Sequence, residues 1–169
     1  MKVILGVDPG LAETGYGFIA VDRNRFRHLD HGVICTPAGD SSGSRLHLLY
    51  RRLEELLNRY RPQQAGIESL YFARNVSSAI PVAQARGVVL LLLHSHGIVA
   101  GEYPPQAIKQ AIVGQGRAEK HQVQDLVRVL LGLTEPPRPD HAADALAAAI
   151  CHYHSGEVAA HISSARRGV

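Results

Sequence analysis

The sequence lacks most of what would tie a protein to a membrane or to the outside of a cell. It holds only two cysteines, Cys35 and Cys151. That is too few for a disulfide scaffold, and they lack the close pairing of a structural metal site, so a reducing compartment is predicted. Long apolar runs are also missing. The most apolar stretch, Val88 to Leu93, is bounded by Gly87 and His94 and falls far short of the ~20 residues that cross a bilayer. Met1 leads straight into a short apolar strand pattern, with no basic region, longer apolar core or small-residue cleavage site, which predicts a cytoplasmic protein without membrane contact. Charge of one sign is scarce: 18 Lys and Arg against 15 Asp and Glu leave +3. Such an excess permits a polyanionic partner without demanding one. Internal repeats and low-complexity linkers are absent as well.

What remains is the composition of one folded domain, 46% hydrophobic and 20% charged over 169 residues, which excludes disorder. The expected domain covers residues 1–156, and the polar stretch 157–169 is predicted to be a flexible tail. Lys2 to Asp8 (KVILGVD) is an apolar run closed by an acid, the pattern of a central strand buried on both faces. Gly15 to Val21 and Arg25 to Cys35 read as two further strands, joined by a hairpin at Asp22 to Asn24. Serines at 41, 42 and 44 offer N-caps to a helix with Leu46, Leu49, Leu53, Leu56, Leu57 and Tyr60 at helical spacing, ended by Pro62. Gln64 to Glu68 is a fourth strand, again ending in an acid, and Ile98 to Glu102 a fifth. Between them lies a helix from about Ser78 to His96 that is apolar nearly all round, either a fully buried core helix or one covered by a partner subunit. Helices over Pro105 to Val113, Glu119 to Leu131 and Asp140 to His154 complete a βββαβαβαα order. The fold class is α/β: a five-stranded mixed sheet, three antiparallel strands followed by two parallel ones, flanked by helices.

Three carboxylates are expected where carboxylates are costly. Asp8 and Glu68 end apolar strands, and Asp144 sits in the Ala-rich helix HAADALAAAI. A partly buried carboxylate must be protonated, paired with a cation or bound to a metal. Any one of these acids could be satisfied by a turn, an arginine such as Arg74 or solvent. Together they favour hard oxygen ligation of Mg²⁺ for phosphoryl chemistry. Neighbouring strand ends lie ~5 Å apart, and the helix would add Asp144 with either Asp140 or His141 from the preceding turn.

At these residues the chain resembles the RuvC family of Holliday-junction resolvases, within the RNase H-like fold. The resemblance rests on GVDPG at 6–10, TGYG at 14–17, IESLYFARN at 67–75, QARGV at 84–88 and DHAADALAAAI at 140–150. It implies a structure-specific endonuclease that resolves four-way DNA junctions by paired symmetric nicks, leaving 5′-phosphate and 3′-hydroxyl ends. It further implies the catalytic and metal-binding set Asp8, Glu68, His141 and Asp144, with two Mg²⁺ ions per site. Many family members carry a carboxylate where this chain has His141; because imidazole suits Mn²⁺ better than Mg²⁺, Mn²⁺ is expected to substitute. Asp140 is the competing fourth ligand. Lys109, Arg117 and Lys120 around a Gly-rich turn are the expected DNA contacts, with Tyr71 and Phe72 stacking on unpaired bases and Arg74 and Asn75 on the backbone. A homodimer formed through the apolar helix, and RuvA and RuvB as working partners, are implied too.

Two other readings compete. D-x-G after a buried strand also cradles phosphate in sugar-kinase or actin-like ATPases, although that architecture needs a duplicated domain and a second Gly-rich loop. A catalytically silent junction-binding protein is the other, because His141 breaks an all-carboxylate set. The run Cys151-His152-Tyr153-His154 is not expected to hold zinc, since successive helical residues point in different directions.

Overall fold

The computed structural model describes residues 1–69 and 76–166. Strands β1 (Lys2–Asp8), β2 (Glu13–Asp22) and β3 (Arg25–Cys35) precede helix α1 (Ser42–Tyr60). Strand β4 (Gln64–Glu68), helix α2 (Val76–Ser95), strand β5 (Val99–Tyr103) and helices α3 (Pro105–Val113), α4 (Lys120–Leu131) and α5 (Asp140–Arg166) follow. The strands form one five-stranded sheet in the order β3-β2-β1-β4-β5. β1 pairs antiparallel with β2 and parallel with β4, and β5 runs parallel to β4. The mixed sheet expected from the sequence is the one observed.

Local chemistry accounts for the element boundaries. Arg23 and Asn24 both have positive φ, 45° and 64°, as a two-residue type I′ hairpin between β2 and β3 requires. Ser41 caps α1 by accepting a hydrogen bond from the Ser44 amide, and Arg61 closes the helix in the left-handed conformation. Glu119 and Gln122 form a reciprocal capping box on α4.

The sheet divides the core in two. Leu5, Val7, Phe18 and Ile67 pack with Leu49, Leu53 and Leu57 of α1 and Ala85, Val89, Leu92 and Leu93 of α2 on one face. Ile4, Ile19 and Val21 pack with α3, α4 and α5 on the other. α2 buries one face only; Ile80 and Leu91 on its outer side are 54% and 63% exposed.

The axis of the fold is α5, which lies directly on the middle of the sheet. A Cβ added to Gly6 would stand 1.7 Å from the carbonyl oxygen of Ala145, and one added to Gly15 2.0 Å from that of His141. Only glycine lets strand and helix backbones approach so closely. The facing helical residues are mostly alanine, with Ala142, Ala143, Ala145, Ala147, Ala148 and Ala149 all buried. The helix also continues past Gly156 to Arg166, where the sequence reading set the end of the domain. The continuation contains no proline, and its alanines favour helix.

Candidate active site

Strand parity decides which side chains meet α5. In β1, Gly6 faces the helix, so Asp8 two residues on faces it as well, at the strand end. Gly66 of β4 meets the carbonyl of Ala148, which turns Glu68 to the same side. Val7 pairs with Ile67 in parallel register, so the residue after each, Asp8 and Glu68, closes the same edge of the sheet. The first two turns of α5 cross that edge and supply Asp140, His141 and Asp144.

Asp8, His141 and Asp144 each present one ligand atom, all within 4.8 Å of one another. His141 Nδ1 is 2.6 Å from Asp8 Oδ2, and its Nε2 is 3.6 Å from Glu13 Oε2. Glu68 shares the field: burial first, then the charges of Asp8 and Asp144, push its pKa up to about 8. Asp8 is likewise raised by burial, against the opposing hydrogen bond from His141. His141 is raised in turn, chiefly by that hydrogen bond to Asp8. The group is electrostatically overloaded with negative charge, and a divalent cation relieves what one lysine does not. The two carboxylates and the imidazole of this group, with the Glu68 carboxyl sharing their field, are a donor set that fits a divalent cation.

Lys120 Nζ donates to Asp144 Oδ2 at 3.1 Å and lies 3.2 Å from Asp140 Oδ2. The other oxygen of Asp140 accepts from Gln124 Nε2 at 3.0 Å. Lys120, expected as a DNA contact, is thus engaged with the acids in this structure. Lys109 joins it in a cleft of about 190 Å³ lined also by Glu68, Asp144, Pro105, Ile108, Val123 and Ala147. Arg117 is exposed in the turn between α3 and α4. Tyr71, Phe72, Arg74 and Asn75 lie outside the described residues. A larger cavity of about 330 Å³, lined by Tyr16, Cys35, Arg52 and Arg59 among others, contains none of the predicted residues.

Glu13 was missed in the sequence, though the parity that turns Gly15 toward His141 turns Glu13 the same way. The signal for Lys120 as an ion-pair partner, a lysine opening a helix opposite an acid opening another, is too common to single out. In the Cys151–His154 run, Cys151 Sγ approaches the Ala107 carbonyl and His154 Nδ1 meets the Ala111 carbonyl, both on α3, while His152 Nδ1 meets Tyr103 Oη.

A family model described as crossover junction endodeoxyribonuclease RuvC matches residues 4–152. The chain belongs to the RuvC family. Crossover junction endodeoxyribonuclease RuvC of Treponema denticola is 52% identical over 155 residues, 92% of this chain and 87% of the relative. The RuvC of Heliobacterium modesticaldum is 53% identical over 153 residues, 90% and 94% of the two chains. Among solved structures, Thermus thermophilus RuvC superposes with a TM-score of 0.87 at 35% identity, covering 94% of this chain and 97% of that one. The same protein in complex with Holliday junction substrate gives 0.86 at 34% identity, covering 93% and 96%. The yeast mitochondrial resolvase Ydc2, at 13% identity and a TM-score of 0.64, shares the fold. The RNase H-like architecture and the endonuclease family expected from the motifs are thereby established. Among the described residues, no helix is long and apolar enough to cross a membrane.

Proposed function

We propose that this chain is a divalent-metal-dependent endonuclease of the cytoplasm that resolves four-way DNA junctions by paired nicks, using Asp8, Glu68, His141 and Asp144. The observation that carries the reading is the crowding at the sheet edge: three ligand atoms within 4.8 Å, beside a Glu68 carboxyl pushed up to about 8. Family membership and the junction-bound Thermus thermophilus relative support a junction as substrate.

Mg²⁺, two ions per site by family resemblance, or Mn²⁺ in its place, would be held by these four residues and would supply Lewis-acid activation of water and of the scissile phosphate. The chain's own groups do the rest. In the metal-free protein Asp8 holds the ring of His141 through the 2.6 Å contact, with Glu13 3.6 Å from its other nitrogen, and the nitrogen that would take the metal must first give up its carboxylate partner. Lys109 and Lys120 in the cleft, and Arg117 in the exposed turn before α4, offer cations to backbone phosphates. By family resemblance Tyr71 and Phe72 are proposed to stack on unpaired bases, and Arg74 and Asn75 to contact the backbone.

A junction has two equivalent strands to cut, so two copies of the chain related by a two-fold axis match its symmetry. The outer face of α2, with Ile80 and Leu91 exposed, is the proposed contact between them. RuvA and RuvB are the partners that family resemblance suggests.

The test is cleavage of a synthetic four-way junction in Mg²⁺ and in Mn²⁺. The wild type should give ligatable nicks. Asp8→Asn, which removes charge with little change in shape, should keep junction binding and lose more activity than the ~10–100-fold typical of losing an outer-shell partner. Near-wild-type cutting by Asp8→Asn would refute the assignment, and binding without nicks by the wild type in either metal would favour a silent junction-binding protein.

A further inference from the structure

Two demands meet at Lys120. Its ammonium is 3.1 Å from Asp144 and 3.2 Å from Asp140, while Asp144 also belongs to the group whose ligand atoms lie within 4.8 Å. Asp140 is not in that group. Its carboxylate is instead held from α4 on both oxygens, by Lys120 on one and by Gln124 at 3.0 Å on the other. Lys120 and Gln124 are four residues apart on α4 and so share a helical face. Asp140 opens α5, where the helix dipole favours an anion, and the hydrogen bond from Lys120, then that from Gln124, hold its pKa below the usual range.

An ammonium with a single carboxylate partner settles on it, whereas one with two partners divides its time. A divalent cation that takes Asp144 as a ligand must compete with Lys120 for the same oxygens and also suffers the repulsion of its charge. A second acceptor at nearly equal distance gives the ammonium somewhere to go by a small side-chain shift. We propose that Asp140 is a positioning residue that anchors Lys120 at the rim of the site, leaving Asp144 free for the metal. The proposal rests on the reading that Asp8, Glu68, His141 and Asp144 hold the cation. Asp140 acts only through Lys120, which yields a signature no simple structural role has: its effect vanishes when Lys120 is neutral.

The experiment is Mn²⁺ binding to the full chain without DNA, followed by calorimetry and by the Mn²⁺ electron paramagnetic resonance signal, in wild type, Asp140→Asn, Lys120→Met and the double variant. Asp140→Asn should raise the Mn²⁺ Kd about threefold, the scale of a partly exposed ion pair. Lys120→Met should lower the Kd, and adding Asp140→Asn to it should change little, a non-additivity that reports coupling between the two residues. Asp140→Glu should restore affinity, and Gln124→Ala should move it as Asp140→Asn does but less, which keeps the test alive should Asp140→Asn fail to fold. Equal weakening by Asp140→Asn with and without Lys120 overturns the proposal, as does no change; a loss far beyond threefold that survives Lys120→Met makes Asp140 itself a ligand and overturns it too. Failure of the underlying site looks different: Asp144→Asn would then bind Mn²⁺ like the wild type.

Discussion

Glu68 makes the metal-free protein sensitive to alkali in a way that can be measured. Its pKa is moved from 4.5 to about 8 by burial and by the charges of Asp8 and Asp144. A carboxyl whose folded pKa lies above its unfolded one binds its proton more tightly in the fold. It therefore supports the fold while protonated, and that support is lost as pH rises from the unfolded value through the folded one. From about pH 6 to above 8 the loss is roughly 3 kcal/mol, at ~1.4 kcal/mol per pH unit over about two units. For a domain of this size that is a drop in Tm of roughly 6–10 °C. Thermal unfolding in excess chelator across this range, with wild type and Glu68→Gln in parallel, is the assay. The amide cannot ionise, so Glu68→Gln should lose much less stability, and the difference between the two curves largely cancels the other titrating groups. Mn²⁺ should return the lost stability to the wild type at alkaline pH, because it binds the ionised carboxylate. Parallel curves for the two proteins from pH 6 to 9 would show that Glu68 is neither crowded nor desolvated, and the case for a cation at this edge would lose its main support.

Other expectations follow from packing and exposure. Gly15→Ala places a methyl 2.0 Å from the His141 carbonyl, so α5 or β2 must shift, at ~1–3 kcal/mol for an overpacked contact; melting should show the loss and Mn²⁺ titration a weakened site, and wild-type behaviour in both would mean that the helix has slack. His152, buried and hydrogen-bonded to Tyr103, has its pKa lowered, chiefly by burial. A histidine kept neutral by the fold stabilises it above the unfolded pKa of ~6.5 and ceases to do so as pH falls below that value. Stability should therefore decline on acidification, with the decline flattened in His152→Asn, and a wild type equally stable at pH 7 and 5 would contradict this. Leu91→Glu on the 63% exposed position should shift the chain to monomer in analytical ultracentrifugation while the monomer keeps its fold by circular dichroism; a persistent dimer removes α2 from the interface.

The sheet was legible because each strand carries its own signature. Apolar runs closed by Asp8 and Glu68 marked the two central parallel strands, and the turn residues at 22–24 marked the hairpin. α5 runs to Arg166 rather than ending at His154, whereas the strands shift by a residue or two: β2 starts at Glu13 rather than at Gly15, and β5 spans Val99–Tyr103 rather than 98–102. These ends are set by ladder hydrogen bonds rather than by side-chain pattern. Asp8, His141 and Asp144 were legible as a set only because the motifs suggested that they meet; no periodicity brings residue 8 to residue 144. The pairing of Lys120 with Asp140 and Asp144, and the place of Glu13 beside His141, depend on how α4 and β2 sit against α5. That arrangement is fixed by packing between elements far apart in the chain, which local propensity does not encode.

Main-chain contact between α5 and the glycines of β1 and β2 separates two properties that usually change together. The location of each donor is indexed by carbonyl against α-carbon, so it does not depend on which side chain happens to project there. A change of head group at residue 141, imidazole for carboxylate, can retune which ion is preferred while the geometry underneath stays put. The scaffold thus works as a jig with interchangeable tips, and swapping tips should be far better tolerated than thickening the jig by one methyl group.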